Sequence, residues 1–180
     1  MHRSLRPAFH RAACAIALGL VAACSGNDEL AYEERPVEDL YNEAMDDLLA
    51  GRNETAADLF DEVERQHPYS VWSGKAQLMA AYGLYKADRY DEAINALDRF
   101  IQLNPANREV AYAYYLRSLC YYEQITDVGR DQQMTRLALE SLDDVVRRFP
   151  QTAYARDARL KRDLTLDHLA GKEMSVGRFY

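Results

Sequence analysis

The side chains that could carry out catalytic chemistry are few, and their spacing does not suit it. His67 and His168 are the only histidines after residue 23, too few for a zinc site with its three or four protein ligands. Asp46-Asp47 and Asp143-Asp144 are neighbours in sequence, and on a helix neighbours diverge by about 100°, so neither pair can share a proton across a cleft. No His-Glu-x-x-His, Gly-x-Ser-x-Gly or phosphate-loop motif occurs. We therefore expect a non-enzymatic protein that holds no metal and no dissociable cofactor.

A cysteine near the N-terminus follows a sequence that indicates a chemical modification. Three arginines precede an apolar run over 12–23, which is typical of a signal peptide and is shorter than the ~20 residues that span a bilayer. Its end, Val21-Ala22-Ala23-Cys24, resembles the bacterial lipobox. The interpretation is a signal peptide over 1–23, cleavage before Cys24 and a covalent lipid on that cysteine. The alternative is ordinary secretion, with cleavage near Ala23 and a free Cys24 thiol.

Charge and cysteine content restrict the partners. The net charge is −7, and loss of the three signal-peptide arginines makes it −10. An acidic chain is a poor ligand for nucleic acid or for a polybasic-type membrane contact, so we expect no nucleic acid and anchoring by lipid alone. Residues 24–36 are polar and acidic, which indicates a flexible tether. Cys120 is then the one remaining thiol, and we expect a small buried hydrophobe rather than a nucleophile.

From residue 37 onward an internal repeat predicts the fold. A small residue, two apolar residues and a proline recur with spacings of four, three and five. Residues four and three apart share a helix face, and a proline five later cannot continue the helix. Another helix fits before each of these sets, so the units are helix pairs. The three sets are Ala56, Phe60, Val63, Pro68; Ala93, Leu97, Phe100, Pro105; and Ala138, Leu142, Val145, Pro150.

The helix pairs resemble tetratricopeptide repeats. The small residue that this family has at its eighth position is Ala44, Ala81 and Ser118 here, whereas the signature tryptophan is absent. The expectation is an all-α, right-handed α-solenoid over 37–180. Its predicted repeats are about 37–68, 74–105 and 108–150, with a partial fourth at 154–180 whose helix ends near Gly171.

The first helix of each tetratricopeptide pair lines a concave groove, and the family pattern transfers to particular residues. Tyrosine dominates the predicted lining, and a tyrosine ring offers a large rigid contact surface with a hydroxyl. We interpret the groove as a peptide-binding site; the alternative is that several of the rings only pack between helices. The predicted lining residues are Tyr41, Met45, Lys75, Leu78, Tyr82, Tyr85, Lys86, Tyr112, Tyr115, Leu119 and Tyr122.

Together with the lipobox, four segments resemble the BamD family, the tetratricopeptide lipoproteins of the outer-membrane β-barrel assembly machinery. These segments are 98–105, 114–117, 147–154 and 167–174. The resemblance implies an adaptor at the periplasmic face of the outer membrane, with three kinds of partner: the POTRA region of BamA, other Bam lipoproteins and unfolded β-barrel precursors. Such precursors end in an aromatic residue, which suits a tyrosine-lined groove.

Length is the departure from that family, whose members usually have five repeats. Because the chain stops within its fourth repeat, we expect a fragment or a truncated gene. The contact with the POTRA region of BamA is the function that this would affect most. The alternative function is a tetratricopeptide lipoprotein that acts as a scaffold for cell-envelope or peptidoglycan enzymes.

Overall fold

The computed structural model describes residues 34–180, and all of its regular structure is helical. The prediction of an all-α fold built from helix pairs is confirmed: α1/α2, α3/α4 and α5/α6 are the pairs, and α7 follows them. Residues 1–33, with the predicted signal peptide, Cys24 and most of the tether, lie outside the described residues. The helices are α1 Val37–Leu49, α2 Asn53–Gln66, α3 Ser73–Lys86, α4 Tyr90–Leu103, α5 Val110–Glu123, α6 Gln133–Arg148 and α7 Ala153–Phe179.

The repeated small and apolar residues form the buried side of the second helix in each pair. All nine of them are at most 1% exposed, and burial of each large side chain contributes about 1.5–3 kcal/mol. The residue before each proline ends its helix in nearly the same backbone conformation, with φ of −130°, −126° and −127° at His67, Asn104 and Phe149. Proline disfavours the helical conformation in the residue before it. The proline spacing therefore sets where α2, α4 and α6 stop.

Close packing between successive pairs depends on a glycine. A Cβ built on Gly83 of α3 would lie 3.0 Å from the carbonyl oxygen of Asn53 and 3.2 Å from the Cβ of Ala57, both on α2. Because glycine has no Cβ, α3 can approach α2 at this distance. Consecutive helices pack against one another along the chain, and the first helices of successive pairs also touch, α3 against α5 and α5 against α7.

The last helix differs from the prediction. Gly171 was expected to end it, but α7 continues through Gly171 to Phe179. A helical glycine costs only about 1 kcal/mol, and contacts with the loop before α6 compensate for it. Lys172 Nζ donates to the carbonyl of Gly129 at 3.1 Å, and His168 Nδ1 lies 3.2 Å from Gln132 Oε1. His168 is accordingly half-buried.

The N-terminal end of the described chain is attached to the first pair. The Arg35 backbone N–H donates to Gln66 Oε1 at 2.8 Å, and His67 Nε2 donates to the Arg35 carbonyl at 2.6 Å. Arg35 lies within the predicted tether, so the last residues of that segment contact α2 and its C-terminal cap. Over residues 34–180, no helix is both long and apolar enough to cross a membrane.

Candidate functional site

A row of tyrosines runs across the first helices, on a surface that we call the inner face and that α3, α5 and α7 form. Tyr82 and Tyr85 lie on α3 with ring centroids 6.4 Å apart. On α5, Tyr112 and Tyr115 lie 5.5 and 5.4 Å from the ring of Tyr154 on α7. All five rings are partly exposed. Rings held this way lose little conformational entropy when a partner binds.

The hydroxyl groups of three tyrosines of this row have raised pKa values. Burial is the main cause that raises the pKa of Tyr85, Tyr112 and Tyr115. Tyr115 also donates a hydrogen bond to the Asp157 carboxylate, and that bond lowers the pKa of Asp157. These three residues therefore present neutral hydroxyls at physiological pH, together with apolar ring surface. Such a surface can bind a polypeptide segment but supplies no acid, base or nucleophile.

Two predicted groove residues are largely buried. Tyr41 is 5% exposed, because its ring is covered by Phe60 and Trp72 at centroid distances of 5.2 and 4.8 Å. Leu78 is 6% exposed; it packs in the central core, and its exposed edge lines the groove described below. Met45 and Leu119 are half-buried and pack against the core clusters of the first and second pairs. The periodicity selects the correct helix face for these residues but does not show what lies on top of them.

The remaining predicted residues lie at accessible positions. Lys75 is exposed, with Nζ 5.1 Å from the Tyr41 ring centroid and 5.6 Å from that of Trp72. Lys86 is exposed at the end of α3, where its carbonyl accepts a 2.9 Å hydrogen bond from Asn53 Nδ2. The ring of Tyr122 is half-buried below Lys161 Nζ, 5.5 Å from its centroid.

Sequence reasoning missed Tyr154, Asp157 and Lys161, which α7 contributes to the inner face. One signal for Tyr154 was present. It stands four residues after Pro150, as Trp72 stands four residues after Pro68, and both rings cover a tyrosine of the preceding first helix. Asp157 and Lys161 form an ion pair at 3.2 Å, a common surface arrangement that carries no functional signal in sequence.

An open groove interrupts the inner face between the second and third pairs. Its volume is about 810 Å³, and its walls come from α3, from α5 and from the loop that joins α4 to α5. Lys75, Leu78 and Tyr112, all predicted groove residues, line it. The volume lies within the ~300–1,000 Å³ typical of ligand pockets.

Catalytic chemistry has no support among residues 34–180. No group of three or more histidine, cysteine or acidic side chains lies close enough there to hold a metal ion. Cys120 is fully buried, as expected, and burial raises the pKa of its thiol to about 12. A thiol so strongly protonated is not a nucleophile at neutral pH.

The fold and this face together define a helical-repeat protein with a row of aromatic side chains on one surface. The solved structure of MamA 41-end from Desulfovibrio magneticus RS-1 has a similar fold, with a TM-score of 0.52 over 94% of this chain and 89% of that one, at 19% sequence identity. Residues 33–180 match the YfiO family, described as "Outer membrane lipoprotein". The chain belongs to this YfiO/BamD family.

Three relatives bear the name outer membrane protein assembly factor BamD. The protein of Caulobacter vibrioides is 53% identical over 97% of this chain and 58% of its own length. Those of Rickettsia prowazekii and Neisseria meningitidis serogroup B are 45% and 34% identical, each over 92% of this chain and over 66% and 68% of their own lengths. The names describe an assembly factor rather than an enzyme, so the prediction of a non-catalytic family is confirmed. The chain spans about six-tenths of the Caulobacter relative.

Proposed function

We propose that this chain is a lipid-anchored adaptor in outer-membrane β-barrel assembly, which holds segments of unfolded barrel precursors on its inner face. The observation that carries the proposal is the row of partly exposed tyrosines, Tyr82, Tyr85, Tyr112 and Tyr115, on one surface of two successive first helices, α3 and α5. Aromatic residues at the centre of an interface commonly provide most of its binding energy. The names of the relatives support the assembly context.

The location and the larger complex are parts of the same proposal. Cleavage before Cys24 and acylation of its thiol would hold the chain at the periplasmic face of the outer membrane. The family description, outer membrane lipoprotein, supports this location. As partners we propose the POTRA region of BamA and other Bam lipoproteins, in agreement with the assembly-factor names of the relatives.

Peptide binding tests the inner face directly. The ligand is a fluorescent peptide with the C-terminal sequence of an outer-membrane barrel protein, and anisotropy reports its affinity for the full chain. Tyr82→Ala combined with Tyr85→Ala should weaken binding about thirtyfold, since loss of a central aromatic anchor commonly costs ~2 kcal/mol. The matched control is Tyr121→Ala. Tyr121 is equally half-buried, but its neighbours Asp98 and Arg117 place it towards α4.

Equal helicity of the variants, measured by circular dichroism, excludes unfolding as the cause. If the double variant binds as tightly as the wild type, the inner face is not the precursor site. Affinity purification of the lipidated chain tests the partners. Recovery of BamA supports the assembly role, whereas recovery of peptidoglycan enzymes without BamA would favour the envelope-scaffold alternative.

A further inference from the structure

Two junctions between successive helix pairs, and a third between the last pair and α7, have equivalent positions that can be compared. In each, the residue four positions after the repeat proline approaches the first helix of the preceding pair. At the first junction this residue is Trp72, whose ring lies 4.8 Å from that of Tyr41. At the third it is Tyr154, whose ring stacks on Tyr115 at 5.4 Å. An aromatic pair thus fills the inner side of both junctions.

The middle junction lacks this pair. Its equivalent positions hold Glu109, four residues after Pro105, and Leu78, three residues before Ala81 as Tyr41 is before Ala44. Both residues line the groove of about 810 Å³ described above. The middle junction, which lacks this aromatic pair, therefore contains an open groove. Its floor is apolar, with Leu78, Met79 and Phe100 among the lining residues.

Charge at this groove favours a particular occupant. Lys75 and Arg108 line it, and no carboxylate of the described residues lies within ion-pair distance of either cation. Glu109 is the one acidic residue of the lining, so the groove carries a net charge of +1 in a chain whose net charge is −7. A carboxylate on the occupant would find two available cations here.

We propose that the middle junction is a socket for one aromatic side chain of an unfolded polypeptide segment, with a carboxylate of that segment bound by Lys75 and Arg108. The ring takes the place that Trp72 and Tyr154 fill at the other two junctions. This inference rests on the proposed function, because it says where a bound precursor segment inserts its aromatic residue. It adds that the aromatic residue of the segment occupies the gap between two repeats, whereas the row of tyrosines contacts the rest of the segment.

Photo-crosslinking tests the position of the ring. The probe is the barrel-derived peptide with p-benzoylphenylalanine in place of its C-terminal aromatic residue, irradiated with the full chain and mapped by mass spectrometry. Attachment at Leu78, Met79 or Tyr112 is expected. Attachment confined to Tyr82, Tyr122 or α7 would overturn the socket while leaving precursor binding by the inner face intact. Failure of the unmodified peptide to bind the wild-type chain would instead remove the proposed function itself.

Two substitutions test the same point without a photoprobe. Glu109→Tyr supplies the missing ring from within the chain and should reduce crosslinking at the groove at least tenfold, whereas Glu109→Gln, which removes the charge without filling space, should change it less than twofold. Lys75→Gln should lower the affinity for the peptide with a free C-terminal carboxylate at least fivefold. The affinity for the same peptide with an amidated C-terminus should not change. Equal loss for acid and amide would show that Lys75 does not bind the carboxylate.

Discussion

The hydroxyl of Tyr115 donates a hydrogen bond to the carboxylate of Asp157 and thereby joins α5 to α7 across the last junction. The same carboxylate is 3.2 Å from Lys161 Nζ, and the ring of Tyr115 stacks on Tyr154. Tyr115 thus takes part both in the packing between repeats and in the inner face. A substitution that tests its hydrogen bond must therefore keep the aromatic ring.

Tyr115→Phe keeps the ring and removes only this hydrogen bond, so we expect a loss of about 1 kcal/mol in the free energy of unfolding at pH 7. The bond lowers the pKa of Asp157 in the folded chain, so its contribution is present above the ordinary aspartate pKa of ~3.9 and is lost as the pH falls through the lower folded value. Urea unfolding should show a larger difference in the free energy of unfolding between the two proteins at pH 7 than at pH 3. A difference that is the same at both values would mean that the charged carboxylate is not the acceptor.

Gly83→Ala should destabilise the chain, because the new Cβ would lie 3.0 Å from the Asn53 carbonyl oxygen and 3.2 Å from the Ala57 Cβ. Overpacking of this kind costs about 1–3 kcal/mol, more than the ~1 kcal/mol that alanine gains over glycine in a helix. Thermal unfolding should therefore begin several degrees lower. Gly177→Ala is the matched control: it lies in α7 with no atom within 4 Å of the new Cβ, and its melting temperature should be unchanged or higher. Equal behaviour of the two variants would show that α2 and α3 do not approach closely at Gly83.

Cys120 should resist thiol reagents while the chain is folded. Burial raises its pKa to about 12, so at pH 8 only about one thiol in ten thousand is ionised, against roughly a quarter for an ordinary cysteine of pKa ~8.5. A Cys14→Ser, Cys24→Ser variant leaves Cys120 as the only thiol. Its reaction with Ellman's reagent should be slow in buffer and complete within minutes in urea. Rapid reaction of the native protein would contradict the burial of this side chain.

Cys24→Ala should release the protein from the outer-membrane fraction. Each buried CH₂ of an acyl chain contributes ~0.8 kcal/mol to membrane binding, and a chain of net charge −7 gains little electrostatic attraction to an anionic membrane surface in its place. Cell fractionation measures the release, and mass spectrometry of the wild-type N-terminus identifies the modification. Ser25→Ala, which keeps the cysteine, should remain membrane-bound. An unmodified Cys24 in the wild type would contradict the lipid anchor.

Local spacing alone was sufficient to predict the helix pairs. Phe60, Leu97 and Leu142 each stand four residues after a small alanine, and each is fully buried. The helical period places them on one face, and the proline that follows ends the helix whatever surrounds it. These are properties of neighbouring residues, so they can be read without knowledge of contacts between repeats.

The tertiary structure decided which inner-face residues remain accessible. Tyr41 and Tyr82 occupy comparable faces of their helices, but Trp72 covers Tyr41 and leaves it 5% exposed, whereas Tyr82 remains partly exposed. Likewise, Gly171 has the sequence signal of a helix end, yet contacts with a loop some 40 residues earlier keep α7 continuous. The period of a helix assigns a side chain to a face. Only the packing of the next repeat determines whether that face meets solvent, a partner or the core.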